Sequence, residues 1–174
     1  MPRSFDMSAD YEGSVEQVHR AFQDPDYWKG RLAETPVDIA TIESMRVGRD
    51  SGDDGIIEVV TLQTVCSHNL PGLVTQLHRG DLCVRREETW GPVTDGIATA
   101  TIKGSIVDAP VSLSGTAVLA PVAENGGSRM TLQLSIHVRI PLIGGKLESI
   151  IGNELGQLVT LEQRFTTQWV ADNC

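Results

Sequence analysis

The sequence predicts an α+β protein in which a meandering antiparallel sheet is covered by one long C-terminal helix. Two observations support this fold class. Residues 141–174 contain no proline beyond Pro141 and repeat apolar side chains at helical spacing. Residues 37–140 alternate apolar and polar side chains in runs separated by Gly-, Pro- and Asp-rich turns. Because such a sheet has one apolar face, it needs an amphipathic element of comparable size to cover that face.

The C-terminal helix has an apolar stripe that spans a little under half of its circumference. The stripe contains Ile143, Leu147, Ile150, Ile151, Leu155, Leu158, Leu161, Phe165 and Trp169. Two acids fall inside it. Glu154 lies well within the stripe and is expected to face a wet cavity or a cation such as Arg86. Glu162 lies nearer the edge and is expected to reach solvent more easily.

One strand and two short helices are predicted before the main part of the sheet. Strict alternation over residues 4–11 indicates a half-buried strand. Ser14 and Gln17 have the spacing of a capping box and therefore begin a short helix. Asp24-Pro25 is typical of the start of the second helix, which contains Trp28.

About six further strands follow, so the sheet is expected to have six to seven. In the first of them, Val37, Ile39, Thr41, Met45 and Val47 are expected to share one side. Residues 50–55 and 123–128 are predicted to be hairpin turns, and residues 67–80 a helical turn or two. The further strands are predicted over residues 37–47, 56–65, 82–90, 97–107, 111–122 and 130–140.

Length and composition indicate one soluble cytoplasmic domain over residues 1–174. Fourteen basic and twenty-three acidic residues give a formal net charge of −9, which repels phosphate backbones and argues against nucleic acid as a partner. Neither a secretory signal nor a run of eighteen apolar residues is present, so export and integral membrane association are not expected. The sequence leaves the oligomeric state open.

The three cysteines are expected to be reduced thiols, because their number is odd and they lack a C-x-x-C spacing. A zinc site can be imagined from residues that are close in sequence, but their spacing matches no familiar metal motif. These residues are Cys66, His68, His78, Asp81 and Cys83. Neither a metal nor a cofactor is therefore expected.

The run from Arg85 to Glu88 is the most informative polar feature. Side chains alternate along a strand, so one arginine and one glutamate must point inward. Arg86 and Glu88 are in phase with Trp90, and we expect this pair to be the inward one. Arg86 could hold a carboxylate or phosphate in a bidentate fork, or Glu88 could act as an acid or base. Alternatively, the pair lies solvated at the open end of the sheet.

From end to end the chain resembles the helix-grip proteins, the START-like superfamily that includes birch-pollen-allergen-type proteins, polyketide cyclases and lipid-transfer domains. The segment 141–148, with Phe165 and Trp169 downstream and Glu88 two residues before Trp90, is similar to a branch of that superfamily without an assigned catalytic motif. The resemblance implies a strongly curved sheet that grips the helix around an apolar cavity. It implies no particular chemistry, since carriers, sensors and enzymes share the fold.

Small residues on the inner faces of two strands, such as Ala98, Gly104 and Gly115, would leave room for this cavity unless the helix packs closely against them. The leading hypothesis is therefore the binding or carriage of a hydrophobic small molecule of lipid, isoprenoid or polyketide type. The candidate ligand-binding residues are Arg86, Glu88, Trp90, Ile102, Leu113, Ile136, Ile151, Glu154, Leu155 and Leu158.

Two other functions stay open. One is an enzyme of the cyclase, aromatase or dehydratase kind, with Glu154 or Glu88 as the general acid or base. The other is a protein-interaction module whose core is filled. Either would use the same fold; turnover with a raised pKa distinguishes the enzyme, and an interior without a void favours the interaction module.

Overall fold

The computed structural model describes residues 2–48, 55–69, 80–122 and 126–173. The chain forms a strand, two short helices, six further strands and a long helix, which confirms the predicted α+β helix-grip architecture. The elements are β1 (Arg3–Tyr11), α1 (Val15–Phe22), α2 (Pro25–Glu34), β2 (Ile39–Val47), β3 (Ile57–Val65), β4 (Leu82–Trp90), β5 (Ala98–Ile106), β6 (Val111–Pro121), β7 (Ser128–Val138) and α3 (Gly144–Asn173).

The seven strands form one antiparallel sheet in the order β1-β7-β6-β5-β4-β3-β2. Each strand from β2 to β7 pairs with its sequence neighbour, as a meander requires. The buried face carries Trp90, Ala100, Ala117 and Leu132, which lie opposite one another across four neighbouring strands. This inner face is the one that α1, α2 and α3 cover.

Local signals begin the two short helices as predicted. The side chain of Ser14 accepts a hydrogen bond from the backbone N–H of Gln17, and the Gln17 side chain accepts one from the backbone N–H of Ser14. Asp24 caps α2 by accepting the N–H of Asp26, and Pro25 occupies the first turn, where its missing N–H is harmless. The chain therefore enters both helices through caps that short stretches of sequence specify.

A β-bulge corrects the predicted face of β2. The pairing register shifts between Ile42 and Ser44, so side chains before the bulge face opposite to those predicted. Ile39 is consequently 56% exposed on the outer face, whereas Met45 packs against the core as expected. The expectation that Ile39 and Met45 share one side is wrong, because a single extra residue reverses the alternation.

The seating of α3 also differs from the predicted stripe. The helix packs on β1 and β7 and on the two short helices, and its most buried positions include Glu148, Gly152 and Thr166. Gly152 lies directly against the ring of Phe5, and the Glu148 carboxylate accepts the backbone N–H of Val138 at 2.9 Å. Because of these two contacts, the side of α3 that faces the sheet is displaced around the helix axis from the centre of the predicted apolar stripe.

Several predicted features lie wholly or partly outside the described residues. They include residues 50–54 and 123–125 of the two hairpin turns, residues 70–79 of the predicted helical turn, His78 and Cys174. Ser67–Asn69 of that turn forms a short 3-10 helix. Within the described residues, no helix is both long enough and apolar enough to cross a bilayer.

Two glycines of α3 provide a matched test of this seating. A Cβ on Gly144 would lie 2.6 Å from the carbonyl oxygen of Val138, whereas a Cβ on Gly156 would meet nothing within 4 Å. We expect Gly144→Ala to lower the free energy of unfolding by about 1–3 kcal/mol through overpacking. Gly156→Ala should raise it by up to about 1 kcal/mol through helix propensity. Urea unfolding of both variants measures these changes, and equal effects would contradict the close approach at Gly144.

Candidate functional site: a buried cluster of two arginines and two glutamates

Four charged side chains meet on the inner face of the sheet and form what we call the charge cluster: Arg31, Arg86, Glu88 and Glu162. Arg31 binds Glu88 through Nη2 at 2.9 Å and Glu162 through Nε at 2.8 Å. Arg86 binds the two oxygens of Glu162 at 3.1 and 3.2 Å, and its Nη2 lies 3.2 Å from Glu88. Each carboxylate is therefore shared by both guanidinium groups.

Three elements bring the cluster together. Arg86 and Glu88 are two residues apart on β4 and so point to the same side of the sheet. Arg31 comes from α2 and Glu162 from α3. The side chains of Arg31, Glu88 and Glu162 are 9%, 7% and 12% exposed, while that of Arg86 retains 20%. Arg86 is thus the member with most access to solvent.

Aromatic side chains surround the cluster on the side of α1 and α2. The guanidinium of Arg31 lies 4.3 Å from the ring centroid of Trp28, a cation–π contact. The hydroxyl of Thr166 donates to the carbonyl of Glu162 and therefore accepts the hydroxyl of Tyr27, at 2.7 Å. Rings fill this end of the interior, and they belong to Phe22, Tyr27, Trp28, Trp90, Phe165 and Trp169.

Pairing shifts the pKa values of Arg31, Arg86 and Glu88 toward their charged forms despite burial. Burial alone would raise the pKa of the Glu88 carboxyl, but Arg86 and Arg31 outweigh it and hold this pKa below its ordinary value of 4.5. Burial would likewise lower the pKa of Arg31, yet Glu162 and Glu88 raise it above its usual range. Tyr27, fully buried beside them, has a raised phenol pKa because burial disfavours its anion. The cluster therefore pairs two guanidinium groups with two carboxyl groups.

The structure distributes the predicted ligand-binding residues among three environments. Arg86 and Glu88 face inward, as the strand register implied. Trp90, Ile102 and Ile136 are buried within the core, and Trp90 packs against Phe22 with ring centroids 5.0 Å apart. The half-buried candidates are Leu113, Ile151, Leu155 and Leu158. Their role toward a ligand stays a prediction.

The two acids of the helix stripe exchange their expected places. Glu154 is exposed, so the expectation that it faces a wet cavity or a cation such as Arg86 is wrong. Glu162, expected to reach solvent, joins the charge cluster instead. The rotation of α3 that Gly152 and Glu148 impose explains both outcomes.

Sequence reasoning missed Arg31, Tyr27 and Thr166. A signal for Arg31 was present, because it follows Tyr27 by four residues and Trp28 by three and therefore shares their face of α2. An arginine on the aromatic face of a short helix indicates a buried acidic partner. Thr166 carried no comparable signal, since an isolated threonine in a helix is common.

Beyond the charge cluster, toward the start of α3, the inner face is less well covered. Val84 of β4, Ile106 of β5, and Leu158 and Leu161 of α3 are half-buried and, among the described residues, pack against neither buried cluster of the core. The first two share the inward phase of Arg86 and Ile102 on their strands. We call these four residues, and the space that we propose they border between the sheet and α3, the hollow.

A cleft of about 480 Å³ opens on the far side of the same inner face, between α2 and β2. Its apolar lining includes Leu32, Ala40 and Ile42, and its polar lining includes Lys29 and Asp38. A volume of this order is within the range of small-molecule pockets.

The sheet order, the two short helices and the long closing helix define the START/Bet v 1-like helix-grip fold. The chain belongs to the family described as "Protein of unknown function (DUF2505)", whose profile matches residues 6–170. It is 79% identical over 173 residues to the uncharacterised protein Rv0481c of Mycobacterium tuberculosis, and the match covers 99% of each chain.

Solved structures with the same fold are far more distant in sequence. A START superfamily protein from Mycobacterium smegmatis superimposes with a TM-score of 0.54 at 11% identity, covering 95% of this chain and 97% of that one. Norcoclaurine synthase from Thalictrum flavum gives a TM-score of 0.54 at 13% identity, covering 94% and 86%. At such identities the likeness shows the fold alone.

Glu162 provides the most direct test of the charge cluster. Glu162→Gln leaves Arg31 and Arg86 with one shared carboxylate in a buried site, so the free energy of unfolding should fall by about 3–5 kcal/mol. The matched control is Glu154→Gln on the same helix, where exposure limits the change to about 0.5 kcal/mol. Urea unfolding monitored by tryptophan fluorescence measures both, and equal losses would contradict the cluster.

Because the pKa of Glu88 is lowered in the folded protein, the free energy of unfolding should decrease at acid pH. The contribution of Glu88 is present above the ordinary pKa of 4.5 and is lost as the pH falls below that value toward the folded-state pKa. Unfolding free energies measured from about pH 6 to pH 3 should therefore decline, and Glu88→Gln should flatten part of this decline. Glu87→Gln, which alters the neighbouring outward-facing carboxyl, serves as the control. An unchanged slope in Glu88→Gln would contradict the assignment.

Proposed function

We propose that this protein binds or carries a hydrophobic small molecule of lipid, isoprenoid or polyketide type in the hollow between the sheet and α3. The observation that supports this most is the seating of the helix on β1 and β7. The inner aliphatic side chains Val84 and Ile106 are only half-buried. A ligand that covers these side chains would gain the free energy of removing apolar surface from water.

The lining of the hollow favours a flexible or alicyclic ligand. Its walls are aliphatic, while the aromatic rings lie at the other end of the interior around the charge cluster. A planar aromatic ligand would find no ring to stack against among Val84, Ile106, Leu158 and Leu161. An acyl chain or a terpenoid skeleton suits these walls better.

The charge cluster limits what the polar end of the ligand can be. Arg86 already binds two carboxylates, and its remaining 20% exposure allows one further contact. A carboxylate or phosphate on the ligand would have to compete with Glu88 and Glu162 for it. A neutral hydroxyl or carbonyl group can accept a hydrogen bond from Arg86 without displacing either acid, so we favour such a head group.

No observation favours a reaction at the candidate acids. Glu88 has a lowered pKa and is bound by two guanidinium groups, which opposes a role as a general acid. Glu154 faces solvent. We therefore place binding ahead of catalysis.

A substitution at the hollow tests the proposed ligand site. Leu158→Lys places a charge among its aliphatic walls and should weaken binding of retinol or of dehydroergosterol, two fluorescent neutral alcohols with isoprenoid or alicyclic skeletons, by about tenfold or more. Val118→Lys adds the same charge on the outer face of β6, where Val118 is 39% exposed, and should leave binding unchanged. Fluorescence titration of both probes measures the effect.

Native mass spectrometry of protein purified from its own host completes this test. A co-purified apolar compound that is absent from Leu158→Lys would support the hollow as the site. A wild-type protein that arrives empty and binds neither probe would contradict the proposal and favour an interaction module with a filled core.

A further inference from the structure

The side chain of Leu142 lies outside the packed core of the fold. Its side chain is fully exposed, although leucine is one of the most apolar residues. Its backbone has a φ of 73°, in the left-handed region that favours glycine. The turn around it is hydrogen-bonded, since Ile143 donates to the carbonyl of Pro141 and Gly144 to that of Ile140. The structure therefore holds a bulky apolar side chain outward in a well-defined turn.

Other exposed residues around the start of α3 complete what we call the collar: Arg3, Arg139, Leu142, Lys146 and Ile150. Lys146 and Ile150 are one helical turn apart, and Ile150 is 38% exposed. Arg3 lies beside Gly145 and donates to the hydroxyl of Ser149. The collar thus combines two exposed aliphatic side chains with three cations.

The charge of the collar is opposite to that of the protein. Among the described residues, none of its three cations forms an ion pair with a carboxylate; Arg139 instead contacts the hydroxyl of Ser112 at 3.4 Å. Exposed acids flank the collar at Asp108, two residues before Pro110, and at Glu154, one helical turn beyond Ile150, whereas Glu148 points inward and is buried. At physiological ionic strength, charges beyond about 8 Å are screened. A surface that touches the collar therefore meets positive charge in spite of the net charge of −9.

We propose that the collar docks the protein on a bilayer that contains anionic phospholipids. Exposed aliphatic side chains flanked by basic residues are complementary to such a surface, where the apolar groups enter the interface and the cations meet the headgroups. An acidic protein partner would account for the three cations but not for the full exposure of the Leu142 side chain. Docking of this kind is peripheral and needs no membrane-spanning segment.

The position of the collar connects it to the hollow, a step that rests on the proposed function. Val111 pairs with Val138, and Arg139 donates its backbone N–H to the carbonyl of Pro110. The collar therefore adjoins the strand ends at which Ile106 and Val111 lie. Docking there would bring the end of the hollow to the membrane, which is a source of apolar ligands.

Cosedimentation with vesicles tests the docking without any apolar probe. Wild-type protein should bind vesicles of phosphatidylcholine with phosphatidylglycerol and lose that binding with pure phosphatidylcholine or in high salt. Leu142→Asp should weaken binding about tenfold or more, and Lys146→Glu about fivefold or more. The matched controls are Val118→Asp and Lys103→Glu, which place the same changes on the outer face of the sheet and should bind as wild type does.

Further outcomes separate this inference from the proposed function. Leu158→Lys should keep its vesicle binding even though it loses the fluorescent probes, so each proposal can fail alone. Absence of binding to anionic vesicles at low salt, or equal binding by Leu142→Asp, would overturn the docking. Light scattering that shows a wild-type dimer and a monomeric Leu142→Asp would assign the collar to a second copy of this chain and also overturn it.

Discussion

The ion pairing among Arg31, Arg86, Glu88 and Glu162 is the interaction on which the arrangement of α2, β4 and α3 depends. Burying a charge costs several kcal/mol unless its partners are in place. Arg31 and Glu162 each have partners on two other elements, and Arg86 and Glu88 each have one partner on a helix and one beside them on β4. Any shift of one helix that separates a pair leaves a buried charge without compensation. The cluster therefore opposes alternative packings more than its net contribution to stability would suggest. It gives the three elements one favourable geometry.

This constraint divides the interior into two unlike ends. At the end closed by α1 and α2, aromatic rings pack around the charge cluster and fill the space. Toward the start of α3, the helix rests on β1 and β7 through Glu148 and Gly152, and the inner side chains of β4 and β5 are only half-buried. The packed end positions the helix, and we propose that the incompletely covered end accommodates a ligand. On that proposal, the charge cluster is a scaffold beside the ligand site more than the group that recognises the ligand.

The helix-grip fold by itself says little about chemistry. The helix-grip architecture recurs at 11–13% identity, where few side chains are shared. Of the two candidate acids of this chain, Glu88 is paired with two arginines and Glu154 is exposed to solvent. The two proposals made for this chain rest on the aliphatic side chains of the hollow and on the collar around the start of α3, where Leu142 and three cations are exposed.

Much of the fold follows from short-range patterns in the sequence. The capping box at Ser14, the alternation along the strands and the periodicity of α3 act over a few residues, so local energetics decide them. The inward orientation of Arg86 and Glu88 followed for the same reason, because alternation and the phase of Trp90 leave one choice. The tertiary structure decided the rest. The bulge in β2 reversed Ile39, and the contacts of Gly152 and Glu148 set which of two acids in one stripe, Glu154 or Glu162, is buried. Arg31 meets Glu88 across 57 residues and Arg86 meets Glu162 across 76, and such pairings depend on how whole elements rotate and dock, which no local pattern specifies.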